Sequence, residues 1–326
     1  GMASADVAVS GYAEAGIFGN GNGAQRNAVT QFHTDIDVTF TMSGETDNGI
    51  TFGATVDLDE SNTAATFAAN GQGGETIFVS SAWGTLTMGD TDGALDFVLQ
   101  EVNLAAASIA DDETGHVGFN GNFGLDGSND GQVARYDYSF GDFTFALSAE
   151  IDDWGQPNAA NAAAATVLGV AGGNARNGTV FGVGVGYDYS MTGFTLGFGA
   201  GYQSSVFYNT WGASLDVASD MGFTAGVSYV NYSETANQTP TGDVEHFGLG
   251  VGYTMDAISV GVNYGSWTRA RAGDTDGFGV AAQYDLGGGM ALHGGWGWNG
   301  CAGVFNVAGC QGADYATYSL GASMSF

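Results

Sequence analysis

Basic residues are almost missing from this chain. Its 326 residues include 5 Lys+Arg against 35 Asp+Glu, which gives a formal net charge of −30 at pH 7. Phosphate backbones and anionic membrane surfaces repel so acidic a chain, so nucleic acid is excluded as a partner. Charged residues make up 12% of the chain, about half the usual share in water-soluble domains. We therefore expect part of the exterior to face something other than water.

Long hydrophobic runs and catalytic motifs are missing as well. No run of 18 apolar residues occurs, which excludes a transmembrane helix. The chain has no HExxH motif, no nucleophile elbow with a Ser–His–Asp order and no Cys–His pair. Because enzymes of the corresponding classes depend on these motifs, the sequence predicts that the protein is not an enzyme.

Two cysteines, Cys301 and Cys310, lie nine positions apart in a segment rich in glycine and asparagine. This spacing fits neither a CxxC redox motif nor a zinc knuckle, so we predict a loop-closing disulfide formed in an oxidising compartment. Residues 1–4 are expected to be a cloning remnant. The mature chain is expected to begin at residue 5, after removal of a signal peptide.

Short segments of alternating apolar and polar residues fill most of the chain. In residues 32–42, Phe32 and Ile36 share one strand face, while His33 and Asp35 share the other. About 16 such segments are joined alternately by short turns and longer loops. This pattern predicts one all-β domain at residues 5–326, a transmembrane antiparallel β-barrel wide enough for an aqueous channel. Aromatic residues at strand ends suit an interfacial girdle, although β-propensity alone could also place them there.

One acidic stretch, residues 89–131, interrupts this pattern. It contains no lysine or arginine, and so long a loop is usually functional or disordered. We predict that it is the third loop of the barrel, folded inward, and that its acids constrict the pore and select cations. The loop acids assigned to this constriction are Asp90, Asp92, Asp96, Glu101, Asp111, Asp112 and Glu113.

The polar strand faces contribute further acids to the predicted constriction. Residues i and i+2 of a strand lie ~7 Å apart on one face, so such pairs project side by side. Two like charges at that distance repel by about 0.6 kcal/mol in water, and a cation between them is stabilised until salt screens the field. The wall residues assigned to the constriction are Glu14, Asp35, Asp37, Asp57 and Asp59, together with Arg135, the one arginine in a predicted strand. The arginines predicted to lie in loops are Arg26, Arg176, Arg269 and Arg271.

Clusters of carboxylates also suit Ca²⁺, which takes 6–8 oxygen ligands. Asp111, Asp112 and Glu113 are candidate ligands, and the acids between residues 90 and 96 form a second candidate set. The alternative is that all these acids are simply hydrated, and no cofactor is required for the predicted function. The four histidines are interpreted as lumen or loop residues rather than as ligands.

Glycine rows occupy one face of three predicted strands. We predict that these faces line the lumen. Side chains would be missing there either to leave room for water or because a loop packs closely against the strand. The spacing does not fit the G-x-G-x-x-G fingerprint, so nucleotide binding is not indicated. The rows are Gly182-Gly184-Gly186, Gly197-Gly199-Gly201 and Gly248-Gly250-Gly252.

Three segments resemble the trimeric general porins of alphaproteobacteria. Residues 39–54 (TFTMSGETDNGITFGA) resemble their second hairpin, and residues 85–95 (TLTMGDTDGAL) resemble the strand leading into the constriction loop. Residues 133–145 (VARYDYSFGDFTF) resemble the strand pair after it, and the terminal Phe326 is similar to the assembly signal of outer-membrane barrels. The resemblance implies a homotrimer in the lipid of the bacterial outer membrane, through which small hydrophilic solutes diffuse. It also implies a basic cluster on the wall opposite the loop acids, and this chain departs from it because acids or neutral residues occupy those wall positions.

Two other functions are weighed against a porin. One is an acidic, calcium-binding soluble β-protein, such as an adhesin-like or halophilic secreted domain, which would need no detergent to remain in solution. The other is an outer-membrane barrel enzyme such as a lipase, against which the missing catalytic set argues.

Overall fold

The barrel is built from strands that pair in chain order. The computed structural model describes residues 5–20, 30–61, 71–102, 106–109, 116–129, 131–152, 178–234, 242–270, 273–304 and 310–326. Within these segments, sixteen antiparallel strands form one closed barrel in which each strand is hydrogen-bonded to its neighbours in the chain and the first pairs with the last. The predicted fold is confirmed.

The elements have the following bounds. The strands before the third loop are β1 Ala5–Asn20, β2 Gln31–Glu45, β3 Thr51–Ser61, β4 Gly71–Ser81 and β5 Gly84–Gly89, and the loop contains one helix, α1 Ala94–Val98. The strands after it are β6 Val133–Phe140, β7 Phe143–Glu150, β8 Val180–Met191, β9 Phe194–Ser204, β10 Tyr208–Ser219, β11 Phe223–Glu234, β12 Val244–Met255, β13 Ile258–Arg269, β14 Thr275–Gly287, β15 Met290–Gly300 and β16 Tyr315–Ser325.

The first and last strands of the chain close the barrel. Strand β1 pairs with β16 from Tyr12 opposite Ser325 to Asn20 opposite Thr317. The backbones of Gly11 and Phe326 exchange two hydrogen bonds of 3.2 and 2.8 Å beyond the last strand pair. Because the ladder closes on itself, this cylinder leaves no sheet edge exposed, which is what lipid requires of a spanning sheet.

The outward face of the barrel is apolar and accessible. Phe32 is 87% exposed and Phe181 is 62% exposed, values that would be costly in water for side chains of this size. The alternate residues His33 and Gly182 lie on the inward face and are buried. In the part of the chain that the structure describes, no helix has the length and apolar character needed to cross a membrane.

Aromatic rings gather at the end of the barrel that carries the short turns. Phe143 and Tyr187 lie 4.6 Å apart between ring centroids on neighbouring strands, and Phe223 and Tyr253 lie 4.4 Å apart. Both pairs are close to two- or three-residue turns. Rings at this level suit the membrane interface, as the girdle interpretation requires.

The buried core lies between the third loop and one side of the barrel wall. Its side chains come from both, so the loop is part of the packed structure. The members of this cluster are Leu95, Leu99, Leu125, Val180, Phe207, Tyr208, Val230, Tyr232, Val244 and Trp267.

Three details differ from the sequence-based expectation. The polar composition of residues 60–74 predicts a loop there, but strand β4 begins at Gly71. Arg269 is the last residue of β13 rather than a loop residue. Helix α1 was not predicted, because five residues are too few to show a helical period. The alanine-rich residues 159–168 could form a short helix, but they lie outside the described residues, as do Arg26, Arg176 and Arg271.

Candidate functional site

The third loop enters the barrel and follows its inner wall. Its outgoing limb, residues 90–102 and 106–109, crosses the glycine rows of β8, β9 and β12. A Cβ atom built on Gly184 would lie 2.1 Å from the carbonyl oxygen of Ala94, and one on Gly199 would lie 1.9 Å from that of Val98. The glycines are therefore needed because a second backbone lies where their side chains would be. Of the two explanations for the glycine rows, the structure supports loop packing at these positions.

The return limb, residues 116–129 and 131–132, is held against the same wall. The Gly118 carbonyl oxygen lies 2.0 Å from the position of a Cβ on Gly265, and it accepts a hydrogen bond of 2.9 Å from His246 Nε2. The Tyr232 hydroxyl donates to the Gly121 carbonyl at 2.8 Å. Inward-facing side chains of β11 and β12 thus donate hydrogen bonds to carbonyl groups of the loop that would otherwise be buried without partners.

A fully buried glutamine and a loop aspartate together tie the two limbs where the loop begins and ends. Gln203 of β9 accepts a hydrogen bond from Leu125 N at 2.6 Å and donates to Asp126 Oδ1 at 2.6 Å. The second carboxylate oxygen of Asp126 accepts from Gly93 N at 2.7 Å. Gln203 therefore holds the return limb, and Asp126 links that limb to the outgoing limb, so the two side chains together fix the spacing of the limbs at the base of the loop.

A second anchor lies on β7. The Glu150 carboxylate is 1% exposed and accepts hydrogen bonds from the backbone amides of Ser128, Asn129 and Gly131 at 3.2, 2.8 and 3.0 Å. Three amides directed at one carboxylate stabilise its charge. Sequence reasoning assigned no role to Glu150 or Gln203. For Gln203 the signal was available, since it continues the glycine row of β9 on the same strand face.

The loop leaves an acidic cavity against the wall strands next to its base. This cavity has a volume of about 510 Å³ and lies between the base of the loop and strands β3 and β4. The acids among its lining residues are Asp57, Asp90, Asp92, Asp96 and Asp126. Among the described residues that line it, none is basic. Asp126 was not assigned to the constriction from the sequence.

Burial and mutual repulsion change the acidity of two of these carboxyl groups. Burial, and after it the charges of Asp92, Asp126 and Glu101, raise the pKa of Asp96 to about 7. Burial also raises the pKa of Asp126 to about 6, although the hydrogen bonds from Gly93 and Gln203 oppose the shift. Both groups therefore titrate between pH 5 and 8, so the charge of the cavity depends on pH.

The one arginine assigned to the constriction lies beneath the loop. Arg135 is 8% exposed, and its guanidinium donates to the Asp92 carbonyl at 2.8 Å and the Thr91 hydroxyl at 3.1 Å. Its Cζ atom is 3.7 Å from the centroid of the Phe97 ring. The structure places Arg135 as a support for the outgoing limb, and Arg135 is not among the residues that line the cavity.

The wall acids named from the sequence fall into two places. Asp57 lines the cavity and accepts a hydrogen bond from the Thr39 hydroxyl at 2.8 Å. Glu14 and Asp35 are 6% and 4% exposed, and they lie together with His33 on β1 and β2, outside the lining of the cavity. Asp37 lies opposite Tyr12 of β1.

The remaining predicted acids are outside the cavity or outside the described structure. Glu101 is exposed and accepts a hydrogen bond of 2.6 Å from Asn120 Nδ2. The backbone of Asp59 lies in β3 opposite Asp37. The calcium candidates Asp111, Asp112 and Glu113 lie outside the described residues.

The cysteines close the loop that follows β15. A disulfide joins Cys301 to Cys310, and both half-cystines are buried with Val304. Val117 of the return limb packs against this cluster. The disulfide and Val304 thus pack against the return limb of the third loop.

Comparisons with known proteins agree with this architecture. The family model described as Gram-negative porin matches residues 1–299. A porin of Rhodobacter capsulatus is 29% identical over 300 residues, which cover 89% of this chain and 93% of that protein. Among solved structures, a porin refined at 1.8 Å resolution has a TM-score of 0.64 at 22% identity, and a triple mutant of Rhodopseudomonas blastica porin has a TM-score of 0.64 at 19% identity. Each alignment covers 98% of this chain and 100% of the other, so the barrel fold is shared over nearly its whole length.

Proposed function

The chain belongs to the Gram-negative porin family, and from this membership we propose that its outer-membrane channel is cation-selective and passes ions and small hydrophilic solutes by passive diffusion. The observation that carries the proposal is the acidic cavity. Five carboxylates line it, four from the third loop and one from β3, and no described lining residue is basic.

The physical basis is the field of several like charges around a narrow passage. A monovalent ion ~7 Å from one carboxylate interacts with it by about 0.6 kcal/mol in water, and more where the walls exclude water. The sign is favourable for a cation and unfavourable for an anion, so the contributions of several acids add in opposite directions for the two ions. Groups of Asp and Glu around a pore are a general device of cation channels.

The direct test is the reversal potential of the protein in a planar bilayer under a potassium chloride gradient. We expect a potential of the sign set by potassium, and we expect it to shrink as the mean salt concentration rises, since screening shortens the field to ~10 Å at 0.1 M. A reversal potential near zero at low ionic strength would contradict the proposal.

The selectivity should also depend on pH. Asp96 and Asp126 have raised pKa values of about 7 and about 6, so both are largely neutral at pH 5 and charged at pH 8. Raising the pH across this range adds negative charge to the cavity, and the preference for cations should increase. Reversal potentials recorded under the same salt gradient at each pH measure this change in preference. In the variant Asp96→Asn, the increase in cation preference around pH 7 should disappear. An unchanged pH profile in that variant would refute the role of Asp96 in this pH dependence.

Two further properties are proposed, a homotrimeric assembly and an optional Ca²⁺ ion at the acids of residues 90–96. The trimer is supported by the resemblance of three segments to trimeric porins, and Ca²⁺ by the hard oxygen ligands that these acids offer. Native mass spectrometry from detergent at millimolar calcium measures both. Monomer masses or calcium-free masses would contradict the respective proposal.

The competing functions have less support. A soluble calcium-binding β-protein would not expose rows of large apolar side chains around a closed barrel. A lipase activity has no support from membership in a family of channels.

A further inference from the structure

Three polar side chains of different types meet on the inner wall of β1 and β2. The described residues contain one group of three His, Cys, Asp or Glu side chains whose ligand atoms all lie within 4.8 Å of one another, and it consists of Glu14, His33 and Asp35. We propose that these residues form a site for one divalent transition-metal ion, with Zn²⁺ as its representative. The site is separate from the acidic cavity and does not depend on the channel's ion preference.

The strand register explains why the three groups converge. Glu14 of β1 lies directly opposite Asp35 of β2, and His33 precedes Asp35 by two positions on the same face. Directly opposed residues have Cβ atoms about 5 Å apart, and residues i and i+2 of a strand are ~7 Å apart. Side chains as long as glutamate and histidine can therefore bring their ligand atoms together without distorting the barrel wall.

The imidazole is buried without a full set of hydrogen bonds. His33 is 1% exposed, its Nδ1 atom has no hydrogen-bond partner, and its Nε2 atom lies 3.4 Å from Glu14 Oε2. A charge-assisted hydrogen bond would be about 2.7–2.9 Å long. A separation of 3.4 Å instead matches the edge of a zinc tetrahedron, which is roughly 3.4 Å for bonds of about 2.0–2.1 Å. This pair of atoms therefore already has the spacing of two ligands of one ion.

The ligand set decides which kind of ion would bind. One imidazole nitrogen with two carboxylates is a donor set that suits zinc and its neighbours, and three protein ligands leave one position for water. Calcium is disfavoured, because it takes oxygen ligands in larger number. Two carboxylates that are buried so close together repel each other, and a divalent cation between them removes that repulsion.

Neighbouring side chains hold the proposed ligands in place. The Tyr12 hydroxyl donates to Glu14 Oε1 at 2.6 Å, and the Phe18 ring meets the His33 ring edge-on at 5.7 Å between centroids. Ile109 of the third loop is fully buried, and its Cδ1 atom lies 2.3 Å from the position of a Cβ on Gly16, the residue opposite His33. Such outer contacts orient metal ligands and shield the site from bulk water.

The test is the zinc content of the folded barrel in detergent. The parent protein is first stripped with a chelator, then incubated with Zn²⁺, passed through a desalting column and measured by elemental analysis. The matched variants Glu14→Gln and Asp35→Asn remove one charge each and keep the side-chain size, and His33→Asn removes the imidazole. The control Asp57→Asn removes a lumen carboxylate outside the group, and heat-dependent gel mobility verifies that every variant is folded.

We expect the parent and Asp57→Asn to retain about one tightly held ion more per chain than each of the three group variants. Anomalous scattering from a zinc-soaked crystal should place the ion between the three side chains. Equal zinc content in the parent and in the folded group variants would overturn the proposal, and so would a parent that retains no zinc. Because no conductance is measured, these outcomes are independent of the proposed cation selectivity.

Discussion

Replacing Asp90, Asp92 and Asp96 together by asparagine is expected to abolish most of the channel's preference for cations. All three carboxyl groups line the acidic cavity. If a permeating ion passes ~7 Å from each, the three interactions sum to about 2 kcal/mol in water before screening. The same interactions disfavour an anion, so the difference between the two ions is about 4 kcal/mol before screening, and screening over ~10 Å at 0.1 M salt roughly halves it. At pH 8, where Asp96 is charged, we therefore expect the cation-to-anion permeability ratio to fall at least about tenfold, with a smaller change at high salt. Reversal potentials under a salt gradient measure the ratio.

The matched control removes the same charge at a distance from the cavity. Asp47, Asp142 and Asp220 lie in short, exposed turns at one end of the barrel, and their triple replacement by asparagine leaves the cavity unchanged. If this control lowers the permeability ratio as much as the cavity variant does, the selectivity comes from the net charge of the protein and not from the cavity. Asp126 is left in place in both variants because its two oxygens accept hydrogen bonds from Gln203 and Gly93.

The strands could be predicted because a barrel wall imposes one simple rule on the sequence. Each strand has lipid on one side, so its apolar residues alternate with residues of a different kind, and turns interrupt the alternation at regular intervals. The rule fails where the chain does not form the wall. Helix α1 spans Ala94–Val98, and its backbone at Ala94, Leu95 and Val98 packs against glycines. So short a helix shows no amphipathic period in the sequence.

The candidate site was predictable in part. Alternation assigns a residue to the inward face, and it did so for Asp57 as well as for Glu14 and Asp35. It cannot say where around the cylinder a residue lies or what covers it. The path of the third loop determines which inward-facing residues are covered. The loop packs on one part of the wall and leaves the cavity against another part. The partners of Gln203 and Glu150 include backbone amides of the loop, and the sequence of a loop does not reveal where its amides point.

Adding one methyl group at Gly184 should disturb the channel far more than adding it at Gly186. Both glycines lie on the inward face of β8. A Cβ at position 184 would lie 2.1 Å from the Ala94 carbonyl oxygen, whereas the nearest atom to a Cβ at position 186 is 3.8 Å away. Since β8 is fixed in the barrel wall, Gly184→Ala must push α1 toward the cavity that Asp96 lines, or strain the wall. Overpacking of this kind costs typically about 1–3 kcal/mol.

We expect Gly184→Ala to lower both single-channel conductance and the denaturant concentration at which the barrel unfolds, and Gly186→Ala to match the parent in both. A leucine at position 184 should enlarge both effects. Gly250 gives an independent repeat, because a Cβ there would lie 1.9 Å from the Val102 carbonyl oxygen farther along the same limb. The argument requires the loop backbone to lie directly on the wall. If Gly184→Ala and Gly186→Ala have the same conductance and stability, the glycine rows do not exist to admit the loop, and open space for water becomes the better explanation of them.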